Sequence, residues 1–310
     1  MNYAVFAVFA TLLITEIMGA MLLLTAWEAT KRRVLDYIVP IWEITGTFGA
    51  FWVVTSYFAY PTLLIPVSDI FAPLLIIFLI LFVARNASIA FAEFILKRRW
   101  LDEVKLYKAY ALSTMALGLV LLILVSALVG GQGVDLATSS FSLASWMTAG
   151  SVVFVLGTLL LGAGLTQAFF DVAPLRRLIL PLTCSGTALS VISYYLMSSA
   201  LLTWWMVVPV MLILAAGLLY LWPKTARILA NKAVFILVTC IAVFSLQPLI
   251  YPKVIGQTLP VDAVTTSGTM ESAFLSASVV GTVILAVMIG LFIVVAARGT
   301  SGPDAPTSTP

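Results

Sequence analysis

Nine stretches of this chain are each long and apolar enough to cross a bilayer as a helix. They are Tyr3–Trp27, Tyr37–Tyr60, Pro66–Ile95, Tyr107–Val129, Trp146–Phe170, Leu178–Ser199, Leu202–Trp222, Ala233–Tyr251 and Phe274–Ala297. A crossing helix needs about 20 apolar residues. In hydrocarbon every backbone polar group must find its partner inside the protein, which leaves helices or closed barrels. The charges outside these runs are too few to dress a soluble surface. Only 9% of the residues are Asp, Glu, Lys or Arg, where a soluble domain carries about 25%. The expected fold is therefore an all-α integral membrane protein: one nine-helix transmembrane domain, 1–297, and a disordered Gly/Pro/Ser/Thr-rich tail, 298–310. No basic stretch precedes the first run, so it reads as a retained span rather than a cleaved leader.

The bases set the orientation. Lys31, Arg32 and Arg33 follow the first span; Lys97, Arg98, Arg99, Lys105 and Lys108 follow the third. Arg176 and Arg177 follow the fifth, Lys224, Arg227 and Lys232 the seventh, and Arg298 the ninth. The even-numbered connections hold one base, Lys253. Positive charge stays on the cytoplasmic side, which predicts a multi-pass protein of the cell membrane with its N-terminus outside and C-terminus inside. The bases are spread over five connections instead of forming a patch, so no nucleic-acid partner is expected.

There is no histidine, the commonest metal ligand and neutral-pH proton carrier. Cys184 and Cys240 lie inside apolar runs and read as small buried thiols. Against this background three charged residues inside spans need a reason, because each costs roughly 2.5–3.5 kcal/mol near the bilayer centre on insertion scales. At about 1.5 Å of rise per residue, Glu16 sits about 16 Å, Glu43 about 9 Å and Arg85 roughly 15 Å from the inner ends of spans one, two and three. One reading is a proton path from the cytoplasm, since desolvated carboxylates both take and give protons near neutrality. The other is an internal ion pair that fixes helix packing. Glu93, Asp69, Gln167 and Asp171 lie near span ends and read as interfacial. Small residues of spans five and seven (Gly157, Gly162, Gly164; Ala215, Ala216, Gly217) suit close helix contacts. The tryptophans, Trp146 among them, read mostly as an interfacial belt. Tyr194 and Tyr195 read as core packing.

Three segments carry a family resemblance. The first joins Thr30-Lys31-Arg32-Arg33 to Ile38-Val39-Pro40-Ile41-Trp42-Glu43 and ends in Phe58-Ala59-Tyr60-Pro61. The second continues to Arg85. The third is Pro248-Leu249-Ile250-Tyr251-Pro252 followed by Leu259-Pro260-Val261-Asp262-Ala263-Val264-Thr265-Thr266-Ser267. Together they resemble subunit II, the haem-free subunit, of the cytochrome bd-type quinol oxidases. There a basic loop leads into a Pro-x-Trp-acid helix start, and a proline pair precedes the last helix. The chain departs from the family in helix one, where only Glu16 stands in place of two acids, at Thr45 and Phe48, where the family often has Asn and a second Trp, and after Arg85, where it reads Asn86-Ala87-Ser88-Ile89.

The resemblance implies helical bundles plus a peripheral helix, and a role in a heterodimer. The haem-bearing subunit I would hold the b-type haems and the haem d or its b-type substitute. This chain would hold no cofactor, consistent with its lack of imidazole. Quinol from the quinone pool would be the substrate of the complex and O2 the acceptor, reduced to water. Membrane lipid and a small single-helix subunit are further expected partners. Carried over, Glu43 matches the family's helix-two acid of the proton path, Glu16 its helix-one acid and Arg85 its helix-three arginine. Arg85 and Trp42 would support the acids. Two other readings stand beside this one: a membrane anchor of another quinone-linked complex, and a stand-alone secondary transporter or proton channel, the latter suggested by Pro73, Pro181 and Pro209 within spans.

Overall fold

A single residue, Ala26, separates the first two helices, α1 (Asn2–Thr25) and α2 (Trp27–Ala59). The structure is a computed structural model that describes residues 2–94, 102–170, 178–198, 206–219 and 231–246, with 249, 251, 253–256, 258–261, 272, 275–277, 279–284, 286–288, 290 and 291. Next come α3 (Pro61–Phe94) and α4 (Glu103–Gly130), a hairpin of β1 (Val134–Asp135) and β2 (Ser140–Phe141), and the short α5 (Leu143–Trp146). They are followed by α6 (Ala149–Phe169), α7 (Ile179–Met197), α8 (Val207–Leu219), α9 (Lys232–Ser245) and a second hairpin of β3 (Lys253–Val254) and β4 (Leu259–Pro260). Asn2–Val264 forms one compact unit and Thr265 onward belongs to another, which holds the apolar helix Leu275–Met288.

Six helices, α1–α4, α6 and α7, are long and apolar enough to cross a membrane. The chain is thus an all-α, multi-pass membrane protein. Of the last three candidate spans the structure describes 13 residues in α8, 14 in α9, and residues 275–277, 279–284, 286–288, 290 and 291 of the last. Their flanks lie outside the described residues, as do Lys97–Arg99, Arg176, Arg177, Lys224, Arg227, Asp262–Ser267 and the tail.

The basic segment after the first span is helix, not loop. Lys31–Arg33 lie in the first two turns of α2, where Lys31 Nζ donates to Glu28 at 2.8 Å one turn earlier. An acid in the first turn also favours the positive end of the helix dipole. Pro40 consequently sits inside α2 instead of starting it, with its ring on the exposed side. Glu43 moves from near a helix start to mid-helix, about 24 Å from the N-terminal end at the usual rise. The other prolines interrupt little. Pro181 and Pro209 occupy the first turns of α7 and α8, where the missing N–H would have no partner. α3 runs on through Pro66 and Pro73.

α1 is the centre of the main unit, packed against α2, α4, α6 and α9, while α3 lies on α4. The tightest pair is α6 with α7. Glycine makes this possible: a Cβ on Gly186 would lie 2.3 Å from the Leu161 nitrogen, and one on Gly164 would lie 2.8 Å from the Thr183 side chain. The small residues of span five therefore meet span six. Consecutive helices joined by a short connection pack as a hairpin, which settles the pairing.

One end of the unit gathers the bases. Arg33 Nη1 donates to the Phe170 carbonyl at 2.7 Å, closing the C-terminus of α6, where a cation also suits the dipole. Lys232, which opens α9, lies 4.8 Å from the centroid of the Tyr37 ring. The opposite end carries the hairpins. There α4 ends at Gly131, whose φ of 76° is the left-handed conformation glycine adopts freely. The Ile255 amide donates to the Leu128 carbonyl, tying the second hairpin to that terminus. Gly130–Ser145 is thus an ordered hairpin and short helix. Its Trp146 is a buried anchor: its indole N–H donates to Ser126 at 2.8 Å. Tyr194 packs edge-on to Phe154 as core, but Tyr195 is 62% exposed.

Candidate functional site

The buried face of α1 is mostly apolar but includes Asn2, Thr11, Thr15 and Glu16, and its close fit to α2 depends on Gly19. A Cβ there would meet the Ile38 side chain at 2.7 Å. The two helices therefore approach closely one turn from Glu16. Glu16 is fully buried.

Arg85 on α3 is equally buried, and its Nη2 donates to Glu16 Oε2. The Tyr110 hydroxyl, from α4, donates to the same carboxylate oxygen at 3.0 Å. The second guanidinium nitrogen, Nη1, donates to Asn86 Oδ1 at 2.7 Å. The guanidinium carbon lies 5.5 Å from the Phe82 ring centre and 5.6 Å from that of Tyr110. A desolvated cation gains from aromatic faces at such distances. Two buried atoms of the pair keep no protein partner: Glu16 Oε1 and Arg85 Nε.

A second polar contact begins at the neighbouring residue of α1. Thr15 Oγ1 and the Tyr37 hydroxyl are 2.8 Å apart, and both residues are buried. The Tyr37 ring is held edge-on by Phe169 and Phe170. Lys232 covers its face at the basic end of the unit.

Of the residues singled out from the sequence, Glu16 and Arg85 come together and Glu43 stands apart. Glu43 is exposed on α2, and Trp42 is half-buried beside it. Among the span-end residues, Glu93 accepts a hydrogen bond from Tyr107, and Gln167 is buried. Tyr110, Tyr37, Thr15 and Asn86 complete the polar layer but gave no signal in the sequence. A tyrosine or threonine costs far less in a span than a charge, so composition does not mark it. The one available hint was the place of Thr15 beside Glu16.

No protein-family profile matches the chain, and no curated protein matches it. Among solved structures, a chain of the bd oxidase from Geobacillus thermodenitrificans superposes with a TM-score of 0.70. The match covers 94% of this chain and 96% of that one, at 17% identity. In fold, the chain is similar to a bd oxidase chain. The agreement spans nearly the whole length of both chains, so it concerns the helix order and packing as a whole and not a single bundle. In this chain the buried layer of Glu16, Arg85 and Tyr110 joins the three helices α1, α3 and α4.

Proposed function

We propose that this chain is the haem-free subunit II of a bd-type quinol oxidase, and that it supplies part of the cytoplasmic proton path for reduction of O2 to water. The observation that carries the reading is an acid and an arginine, both fully buried, inside a fold similar to that of a bd oxidase chain. A buried pair of this kind is weak evidence for stability, since apolar residues of similar volume often do as well. An ionisable residue kept at such a depth marks a functional site.

In this reading Glu16 is the proton-holding group. When it takes a proton its carboxylate is neutralised, and the hydrogen bonds from Arg85 and Tyr110 weaken; when it releases one, both donors hold the returning negative charge. Arg85 donates to the carboxylate, and its own charge is steadied by Phe82, Tyr110 and Asn86. Glu43 belongs to the same path but faces outward. A charge facing lipid would be costly, so its exposed side is the face on which the haem-bearing partner subunit would lie. The partner would hold the haems and the quinol site, and this chain would add no haem ligand. The basic end that carries Arg33 and Lys232 is the cytoplasmic side in this assignment.

The test is purification of the chain in mild detergent from its own membrane, with a reduced-minus-oxidised visible spectrum and quinol-driven oxygen uptake. Haem bands from a co-purifying subunit together with oxygen uptake are expected. A colourless single-chain preparation that neither takes up oxygen nor retains a partner would overturn the reading.

A further inference from the structure

We infer that protons reach Glu16 from the basic end of the bundle by way of Tyr37 and Thr15, through one water held at the buried pair. The inference rests on the reading of Glu16 as a proton-holding group. Glu43 is exposed on α2, so nothing within this chain joins it to Glu16 among the described residues. The buried hydroxyls offer a different course.

Tyr37 lies between the basic end and the Glu16 layer. Lys232 and the Phe169–Phe170 pair close over its ring, and Arg33 anchors Phe170 from the same side. The Tyr37 hydroxyl meets Thr15 Oγ1 at 2.8 Å. Thr15 also reaches the Leu12 carbonyl at 2.7 Å, so as drawn Tyr37 is the donor and Thr15 the acceptor. The chain of groups then arrives at α1 one residue before Glu16.

The last step is set by the two atoms without protein partners. A buried carboxylate oxygen or guanidinium N–H left unsatisfied costs about 1–3 kcal/mol or more. Glu16 Oε1 is an acceptor and Arg85 Nε a donor, and both are fully buried. Buried waters typically make about three hydrogen bonds to otherwise unsatisfied groups. A water that accepts from Arg85 Nε and donates to Glu16 Oε1 satisfies both and keeps two further hydrogen-bonding sites, one of which we assign to Thr15. Transfer then balances. A hydronium at the basic end gives a proton to the Tyr37 oxygen and is left as water, as the phenol gives its own proton to Thr15. Thr15 turns its hydroxyl from Leu12 and gives its proton to the bridging water, which protonates Glu16. Each hydroxyl ends as it began, and only Glu16 is changed.

The experiment uses the whole purified oxidase carrying Tyr37→Phe, Thr15→Val or Glu16→Gln. Haem content is read from the reduced spectrum, and quinol-driven oxygen uptake is read in H2O and D2O. Tyr37→Phe and Thr15→Val are expected to keep haem content, to slow uptake roughly 10²-fold, the lower end of the loss for a positioned proton-transfer group, and to raise the solvent isotope effect. A merely structural hydroxyl would leave the isotope effect unmoved. Wild-type uptake and isotope effect in Thr15→Val overturn the inference, and this variant decides alone if Tyr37→Phe fails to assemble. In that event a slow Glu16→Gln shows that the wider reading survives. Wild-type uptake in Glu16→Gln overturns both.

Discussion

The interior around α1 and the outer faces of α2 and α3 use the same apolar alphabet to opposite ends. α1 is enclosed by α2, α4, α6 and α9, and its one acid is matched within the chain by an arginine and a tyrosine. α2 and α3 turn Val53, Val54, Ile76, Ile80 and Val83 outward, together with the acid Glu43. Both acids stand inside apolar helices, and sequence reasoning gives them the same task. The environment separates them. Glu16 takes its arginine and tyrosine donors from this chain, whereas Glu43 faces away from it. Buried groups report on this chain alone, and exposed ones on what it meets.

The largest expected effect falls on the enclosed side. Arg85→Ala strands a buried carboxylate, which costs about 3–5 kcal/mol. Haem recovered per chain should fall sharply and the remaining complex should melt early. A fully assembled, stable Arg85→Ala complex would break the comparison at its strongest point. The pair can also be removed together. Glu16→Gln with Arg85→Met should recover most of the assembly, since exchanging a buried pair for less polar groups is often neutral, while oxygen uptake stays low. Recovered uptake in that double variant would take Glu16 out of the path.

Packing gives the next effect in size. Gly186→Val should lower the unfolding midpoint by an amount corresponding to about 1–3 kcal/mol, because even its Cβ meets the α6 backbone at Leu161. Gly162→Ala, which meets nothing within 4 Å, should leave the midpoint unchanged or raise it slightly through helix propensity. Equal effects would mean that α6 and α7 are not packed as described. On the open side, Glu43→Gln should slow oxygen uptake with haem content and unfolding midpoint intact; uptake at the normal rate removes Glu43 from the path.

The smallest effect belongs to the first hairpin, where Asp135 is exposed. Hydrogen bonds from the Thr138 hydroxyl and then the Ala137 amide hold its carboxyl below the ordinary value. A depressed carboxyl contributes stability that is present above the unfolded pKa, about 3.9 for Asp, and is lost as pH falls through the folded value. Amide exchange at Ala137 and Thr138 should quicken as pH is lowered through that window, after correction for the intrinsic rate, and Asp135→Asn should abolish the change.

Much of this molecule was legible in its order of residues. Apolar length determined the spans α1–α4, α6 and α7, because lipid allows no unsatisfied backbone. The rarity of charge in such spans marked Glu16, Arg85 and Glu43 as the residues to explain. Only the tertiary structure decided which of them meet. Helix spacing fixes a residue's depth but not its azimuth, so Glu16 and Glu43 read alike until α1 was enclosed and α2 left open. The hydroxyls of Tyr37, Tyr110 and Thr15 were silent for a related reason: each is tolerable anywhere in a span, and it gains meaning only when another helix brings it a partner.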